Sequence, residues 1–352
     1  MRPERATNRR EFLKNCLAGA MAFDAGSLST SIHAVEPEAQ RERSRVSVAR
    51  DAQLRGLSAQ GSVGPGRNSG QNSLDPQRLL GLLDQAMHGL FTSIDPARAW
   101  SMVVRPGQRV GLKVNTLGGR GLSTNAQLVE AICQRLQEAG IRGPDIVIWD
   151  RDSEEMERAG FPIRTGGNQV QCFGTDRVGY TDELVSFGSV GSQLSKILTE
   201  RCDVLINVPV LKDHDGAGVS IALKNMYGVI HNPNKYHPNG CDPYVADLNA
   251  LPDLRSKLRL HLCDATTACY DGGPAFKPEF AWRENALIAA VDPVALDHTG
   301  WQMIERKRAA EGLKTLAAEG RAPRYIATAA DADHRLGNND PRRIDLVETR
   351  LA

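Results

Sequence analysis

Short apolar runs that alternate with amphipathic helical segments constrain this chain more than any other feature. RVGLKVN (Arg109 to Asn115), DIVIWD (Asp145 to Asp150), DVLINVPVL (Asp203 to Leu211), KLRLHLCDA (Lys257 to Ala265) and NALIAAVD (Asn285 to Asp292) each read as a strand. NAQLVEAICQRLQEAGI (Asn125 to Ile141) places Leu128, Val129, Ile132, Leu136 and Ala139 at helical spacing, with Gly140 as the stop. Asp75 and Pro76 suit the cap and first turn of a helix carrying Leu79, Leu80, Leu82, Leu83 and Met87. SQLSKILTERC (Ser192 to Cys202) and the segment from Pro293 to Gly312 read as further helices. This grammar predicts an α/β fold: a mostly parallel sheet flanked by helices, with a ligand cleft at the carboxyl edge of the strands. Lys113, Asn115, Asp150, Asp152, Lys212, His214, Asp264 and Asp292 fall at predicted strand ends.

Three segments are expected. Residues 1–34 form an export signal, 35–73 a flexible tether, and 74–352 a single α/β domain. NRREFLKNCLAGAMAF (Asn8 to Phe23) pairs Arg9 and Arg10 ahead of a short, weakly apolar run, in the manner of a twin-arginine export signal. The translocation machinery is then a partner, and the protein is periplasmic or otherwise exported. The rival reading is a basic leader with no targeting role. The apolar run falls short of the roughly 20 residues that a spanning helix needs, so no stable membrane span is expected. LSAQGSVGPGRNSGQNSLDP (Leu57 to Pro76) reads as the tether, with order starting near Leu74. Lys and Arg together number 43 against 42 Asp and Glu, for a net charge of +1, so no basic excess attracts nucleic acid.

Candidate chemistry concentrates between Leu211 and Gly240, in LKDHDGAGVSIALKNMYGVIHNPNKYHPNG. Pro209 ends the preceding strand, and GVSIALKNMYGVI reads as a helix between two loops. The arrangement aims Lys212, His214, Lys224, Asn225, His231, Lys235 and His237 at one cleft. Lysines and amides hold a carboxylate or phosphate, and histidines move protons near neutral pH. Lys113, Asn115, Lys212, Lys224, Asn225 and Lys235 are therefore candidate binders of a small anionic ligand. His214, His231, His237 and Asp271, the last in the DGGP loop, are candidate catalytic groups. For any one of these residues, an ordinary solvated loop or helix surface is the competing account. Asp292 is fully explained as a helix cap, and Asp297 suits a plain helix position as well as a catalytic one.

Lys113-Val114-Asn115, TNAQLVEAICQRLQEAG, DVLINVPVLKDH, GVSIALKNMYG, DLNA (Asp247 to Ala250), DGGP (Asp271 to Pro274) and AAVDPVALD (Ala289 to Asp297) occur in the order of the domain of unknown function 362 family, which the chain resembles over residues 74–348. LINVPVLKDH followed by ALKNMYG is the most specific part. The resemblance implies the fold more firmly than a reaction, and it raises Asp247 and Asn249 as candidates. Some relatives in that family carry an iron–sulfur module. This chain has seven cysteines and no C-x-x-C pair, so it has no iron–sulfur cluster motif.

Several sharper motifs are missing. NTLGGRGLSTN (Asn115 to Asn125) lacks the spacing of a nucleotide-binding loop, and there is no G-x-S-x-G or H-E-x-x-H. The cofactor is therefore unassigned. A divalent metal held by non-sequential ligands such as Asp264 or Asp271 stays open, as does a disulfide between Cys263 and Cys269. The leading expectation is an exported enzyme acting on a small anionic substrate. The alternatives are a non-catalytic metal- or anion-binding protein, or an accessory protein for maturation of an exported partner.

Overall fold

A computed structural model of the 352-residue chain describes residues 43–55 and 73–352. The expected export signal lies outside the described residues. The strands, in chain order, are β1 (Ser44–Asp51), β2 (Val110–Lys113), β3 (Ile146–Trp149), β4 (Gln171–Cys172), β5 (Val185–Phe187), β6 (Val190–Ser192), β7 (Val204–Asn207), β8 (Val210–His214), β9 (Gly218–Ser220), β10 (Leu258–Cys269), β11 (Ala281–Trp282), β12 (Ala286–Ala290) and β13 (Ile344–Leu351). Eleven of them form one sheet whose main order is β13-β1-β12-β10-β7-β2-β3-β4, with β8, β9 and β11 attached beside β10. Parallel pairing runs through β10, β7, β2, β3 and β4, while β12 is antiparallel to both its neighbours. The fold is thus α/β, with a large, mostly parallel central sheet flanked by helices.

The sheet separates two cores because successive strand residues point to opposite faces. Val147, Trp149 and Leu205 pack on one side with Leu211, Ile221 and Leu223. Ile146, Ile148, Val204 and Ile206 pack on the other with Leu82, Leu83, Leu128 and Ile132, from helices Pro76–Phe91 and Ala126–Glu138. Each such fully buried aliphatic side chain contributes about 1.5–3 kcal/mol. The expected capping holds. The Asp75 carboxylate accepts the Gln77 and Arg78 N–H groups ahead of helix Pro76–Phe91. Asp292 does the same for Val294 and Ala295 ahead of helix Pro293–Ala310.

Four local expectations are corrected. Residues 44–51, placed in the tether, are β1, which pairs antiparallel with β12 and parallel with β13. Its Val46 and Val48 are fully buried, and its polar residues are matched rather than solvated. Arg45 pairs with Asp345, Arg50 with Glu284 and Glu348, and Asp51 with Arg78. A chain starting at Leu74 would therefore lose a strand from inside the sheet. The stretch after Pro209 is not a loop: Val210–His214 and Gly218–Ser220 form a hairpin. GVSIALKNMYGVI supplies only the short helix Ala222–Asn225 and a 3-10 turn over Met226–Val229. In SQLSKILTERC the helical part shrinks to a π-type turn over Ile197–Arg201. Cys263 and Cys269 are both free and lie six residues apart on β10, roughly 20 Å along an extended strand, which excludes a disulfide between them.

Candidate functional site

The strand pairing brings the ends of β2, β3 and β7 together, since Lys113 is in register with both Trp149 and Asn207. Just beyond, the buried Lys113 Nζ lies 2.7 Å from Asp150 Oδ1 and also donates to the Val114 carbonyl. Asp150 Oδ2 accepts from the Thr116 N–H and hydroxyl. Burial alone would raise the Asp150 carboxyl. The Lys113 ammonium and the Thr116 hydrogen bonds outweigh burial and hold it below the ordinary carboxylate range. Gly228 covers this pair so closely that a Cβ there would stand 2.6 Å from Lys113 Nζ and 2.9 Å from Asp150 Oδ1.

A second group gathers around β8. Strand alternation puts Lys212 and His214 on one face and Asp213 on the other. Lys212 Nζ, fully buried, donates to Asn115 Oδ1 at 2.8 Å. Asn115 Nδ2 in turn donates to Asn225 Oδ1, and Asn225 Nδ2 to Asn207 Oδ1. Asn207 Nδ2 reaches the Ala222 carbonyl and His261 Nδ1. This relay fixes the orientation of each amide. The short helix bearing Lys224 and Asn225 begins at Ala222 and Leu223, whose N–H groups are accepted by the buried Asp297 carboxylate from 75 and 74 residues further along the chain.

Lys224 completes the group. Its ammonium lies 4.6 Å from the Tyr227 ring centroid and 3.2 Å from His237 Nε2. The rings of His237 and His214 stack with centroids 5.8 Å apart. His214 Nδ1 accepts the Gly216 and Ala217 N–H groups, so its proton resides on Nε2. The Asp215 carboxylate lies 3.2 Å from the same Nδ1, but it is 75% exposed and the backbone donors already occupy that nitrogen. Neither Lys212 nor Lys224 has a carboxylate within ion-pairing distance among the described residues.

The electrostatic consequence is uniform. Burial, reinforced by the Lys224 ammonium, lowers Lys212 to about 8. Burial likewise lowers Lys224. Burial and then Lys224, His237 and Lys212 lower His214 to about 2, and burial and Lys224 lower His237. Every group is thus biased against its own charge, as expected where cations converge without a counter-ion.

Three expected members stand apart. Asp271 accepts from Arg308 and Arg321 at 2.6 and 2.7 Å. Burial would raise its carboxyl, but the two guanidinium groups hold it low, so Asp271 is a structural counter-ion rather than a proton donor. Asp213 joins the same arginine, Arg321, on the opposite face of β8 from Lys212. His231 is exposed and meets the Tyr180 ring edge-on, while Lys235 is exposed and donates to the Gly191 carbonyl. Asp264 and Asp247, also considered, serve local structure. Asp264 accepts from Asn125 and Thr266, and Asp247 from Ser189 and His334. Among the described residues no three His, Cys, Asp or Glu side chains group as metal ligands. Sequence reasoning missed Asn207, Thr116 and Tyr227. The available signal for Asn207 was a lone amide at the end of the apolar run VLIN.

A family model described as a domain of unknown function (DUF362) matches residues 110–302. A thylakoid-associated protein of Synechocystis sp. is 29% identical over 147 residues, 40% of this chain and 45% of that protein. A crystal structure of a Thermotoga maritima protein aligns with 68% of this chain and 60% of that one, at a TM-score of 0.38 and 8% identity. The chain therefore spans less than two thirds of either relative. Among the described residues no helix is long and apolar enough to cross a membrane.

Proposed function

The chain belongs to the domain of unknown function 362 family, and from that premise we propose that it is an exported enzyme acting on a small anionic substrate. Lys212 and Lys224 bind the anion in a cleft at the carboxyl edge of the strands, and His214 and His237 move protons beside it. The observation that carries this reading is the convergence of two buried lysines and two histidines with no buried carboxylate among them. A fold that needed these lysines only for packing would neutralise them, as it does Lys113. An empty cation cluster is relieved when an anion enters. Asn115 and Asn225 hold the Lys212 end in place, and Tyr227 holds Lys224. Export through the twin-arginine route rests on Arg9 and Arg10 in NRREFLK. Replacing both with lysine is expected to leave the folded protein in the cytoplasm.

The test of the site is a thermal-shift screen of small carboxylates and phosphate on the whole protein. At least one anion raises the melting temperature of the wild type and fails to do so in Lys224→Met. If no anion stabilises the wild type, the reading falls. The same anion bound without turnover would instead favour a non-catalytic binding protein.

A further inference from the structure

We propose that Lys212 is a covalent nucleophile whose amine condenses with the carbonyl of a small oxo acid, the substrate carboxylate being held by Lys224. This rests on the anion-site reading above and adds a ketone or aldehyde carbon to the substrate class. The three buried lysines of the sheet differ in how their nitrogens are used. Lys113 is spent on Asp150 and the Val114 carbonyl. Lys224 donates to His237 Nε2 and faces the Tyr227 ring, a setting that suits a cation. Lys212 donates to one neutral acceptor, Asn115 Oδ1, and has no ion pair among the described residues. The amide relay through Asn225 and Asn207 keeps that acceptor oxygen turned toward the lysine.

A lysine attacks carbonyls only as the free amine. Desolvation and a neighbouring cation are the two devices that expose it at moderate pH, and Lys212 has both. With its ammonium lowered to about 8, roughly a tenth of the molecules carry the free amine at pH 7, against fewer than about one in a thousand for an ordinary lysine. Lys212 lies at the floor of the cluster, at 0% exposure. Lys224 and His214 are each 6% exposed, and His237 is partly exposed at the rim. An oxo acid can therefore set its carboxylate at Lys224 with its carbonyl directed inward. In the condensation a C–N bond forms and the carbonyl C–O bond breaks. The oxygen leaves as water with two of the three ammonium protons, and one proton remains on the iminium nitrogen. No oxidant or reductant is consumed. His214, whose Nε2 carries the proton, shares the Lys212 face of β8 and is the group placed to pass protons to the departing oxygen.

The experiment incubates the whole protein with pyruvate and sodium cyanoborohydride, then maps modified lysines by peptide mass spectrometry. Expected is a reduced pyruvate adduct at Lys212 in excess over every other lysine. Its rate should rise with pH through about 8, and lactate, which has the carboxylate but no carbonyl, should suppress it. If lactate and pyruvate stabilise the protein and Lys212 stays unlabelled, the Schiff-base assignment is overturned while the anion site stands. If neither stabilises and labelling is spread over surface lysines, both fall. The primary readout is on the wild type, so it does not depend on how well a variant folds. Lys212→Arg, which keeps the charge, should lose the adduct and retain lactate-induced stabilisation. An undiminished adduct yield in that variant would also overturn the assignment.

Discussion

Lys113 and Lys212 belong to the same sheet and are equally buried, yet the fold treats their charges in opposite ways. Lys113 has a carboxylate at 2.7 Å, and that carboxylate has two further donors from Thr116. Lys212 has an amide oxygen and, nearby, a second lysine. The first arrangement is complete without a ligand. The second is not, because desolvation has been incurred and no opposite charge offsets it. The histidines divide in the same way. His334 sits between Asp247 and Asp331, which overcome the effect of burial and raise it, whereas His214 sits among cations that add to burial and lower it. Saturated ion pairs mark the frame of this molecule, and unsaturated ones mark where something is meant to bind.

The contrast breaks most visibly at Lys113. Lys113→Met strands Asp150 in the interior and should cost about 3–5 kcal/mol in urea unfolding. Adding Asp150→Asn should recover part of that loss. A single variant within about 1 kcal/mol of the wild type would show that the pair is not the strut described here.

Lys224→Met should leave unliganded stability within about 1 kcal/mol of the wild type, since only a weak donor contact is removed. It should abolish anion-induced stabilisation, which at a hundredfold excess over Kd amounts to about 2.7 kcal/mol in the wild type. Calorimetry with and without the anion separates the two effects. A large loss of unliganded stability would move Lys224 into the same class as Lys113.

The pH dependence sharpens the comparison further. Lys212 loses its proton at about 8 in the folded chain and near 10.4 when unfolded, so its penalty is fully present below pH 8. Between those values the unfolded chain binds more protons, and stability gains with rising pH. Subtracting the Lys212→Met profile from the wild-type profile should isolate a rise from pH 8 to about 10.4. A flat difference would mean that Lys212 is compensated. The buried thiols act in the other direction at high pH, which is why the difference is the quantity to measure.

The smallest effect concerns the histidines. The raised His334 contributes stability present below its unfolded value near 6.5 and lost as pH rises through its higher folded value. NMR titration should find the His334 ring charged at pH 6.5 and the His214 ring neutral down to the limit of folding. A His214 ring that titrates near 6.5 would place it outside the cation cluster.

Much of the frame is legible in the chain. Asp75-Pro76, Asp292-Pro293 and Gly140 mark helix ends because capping and φ restrictions act between close neighbours. The alternation of apolar runs and amphipathic helices specifies the α/β class, since each apolar face must be buried. The clustering of Lys212, His214, Lys224, Asn225 and His237 around one strand end is also visible, because 26 residues span it. What only the tertiary structure decided are the pairings across long stretches of chain. β1 looks like tether until β12 and β13 cover its edges and Asp345, Glu284 and Glu348 meet its arginines. Asp271 looks catalytic until Arg308 and Arg321 close on it. Lys113 and Lys212 look alike until one finds Asp150 and the other Asn115, 97 residues away. A charge takes its character from its neighbours in space. Coulomb energy and desolvation depend on that distance and on burial, and the local sequence carries neither.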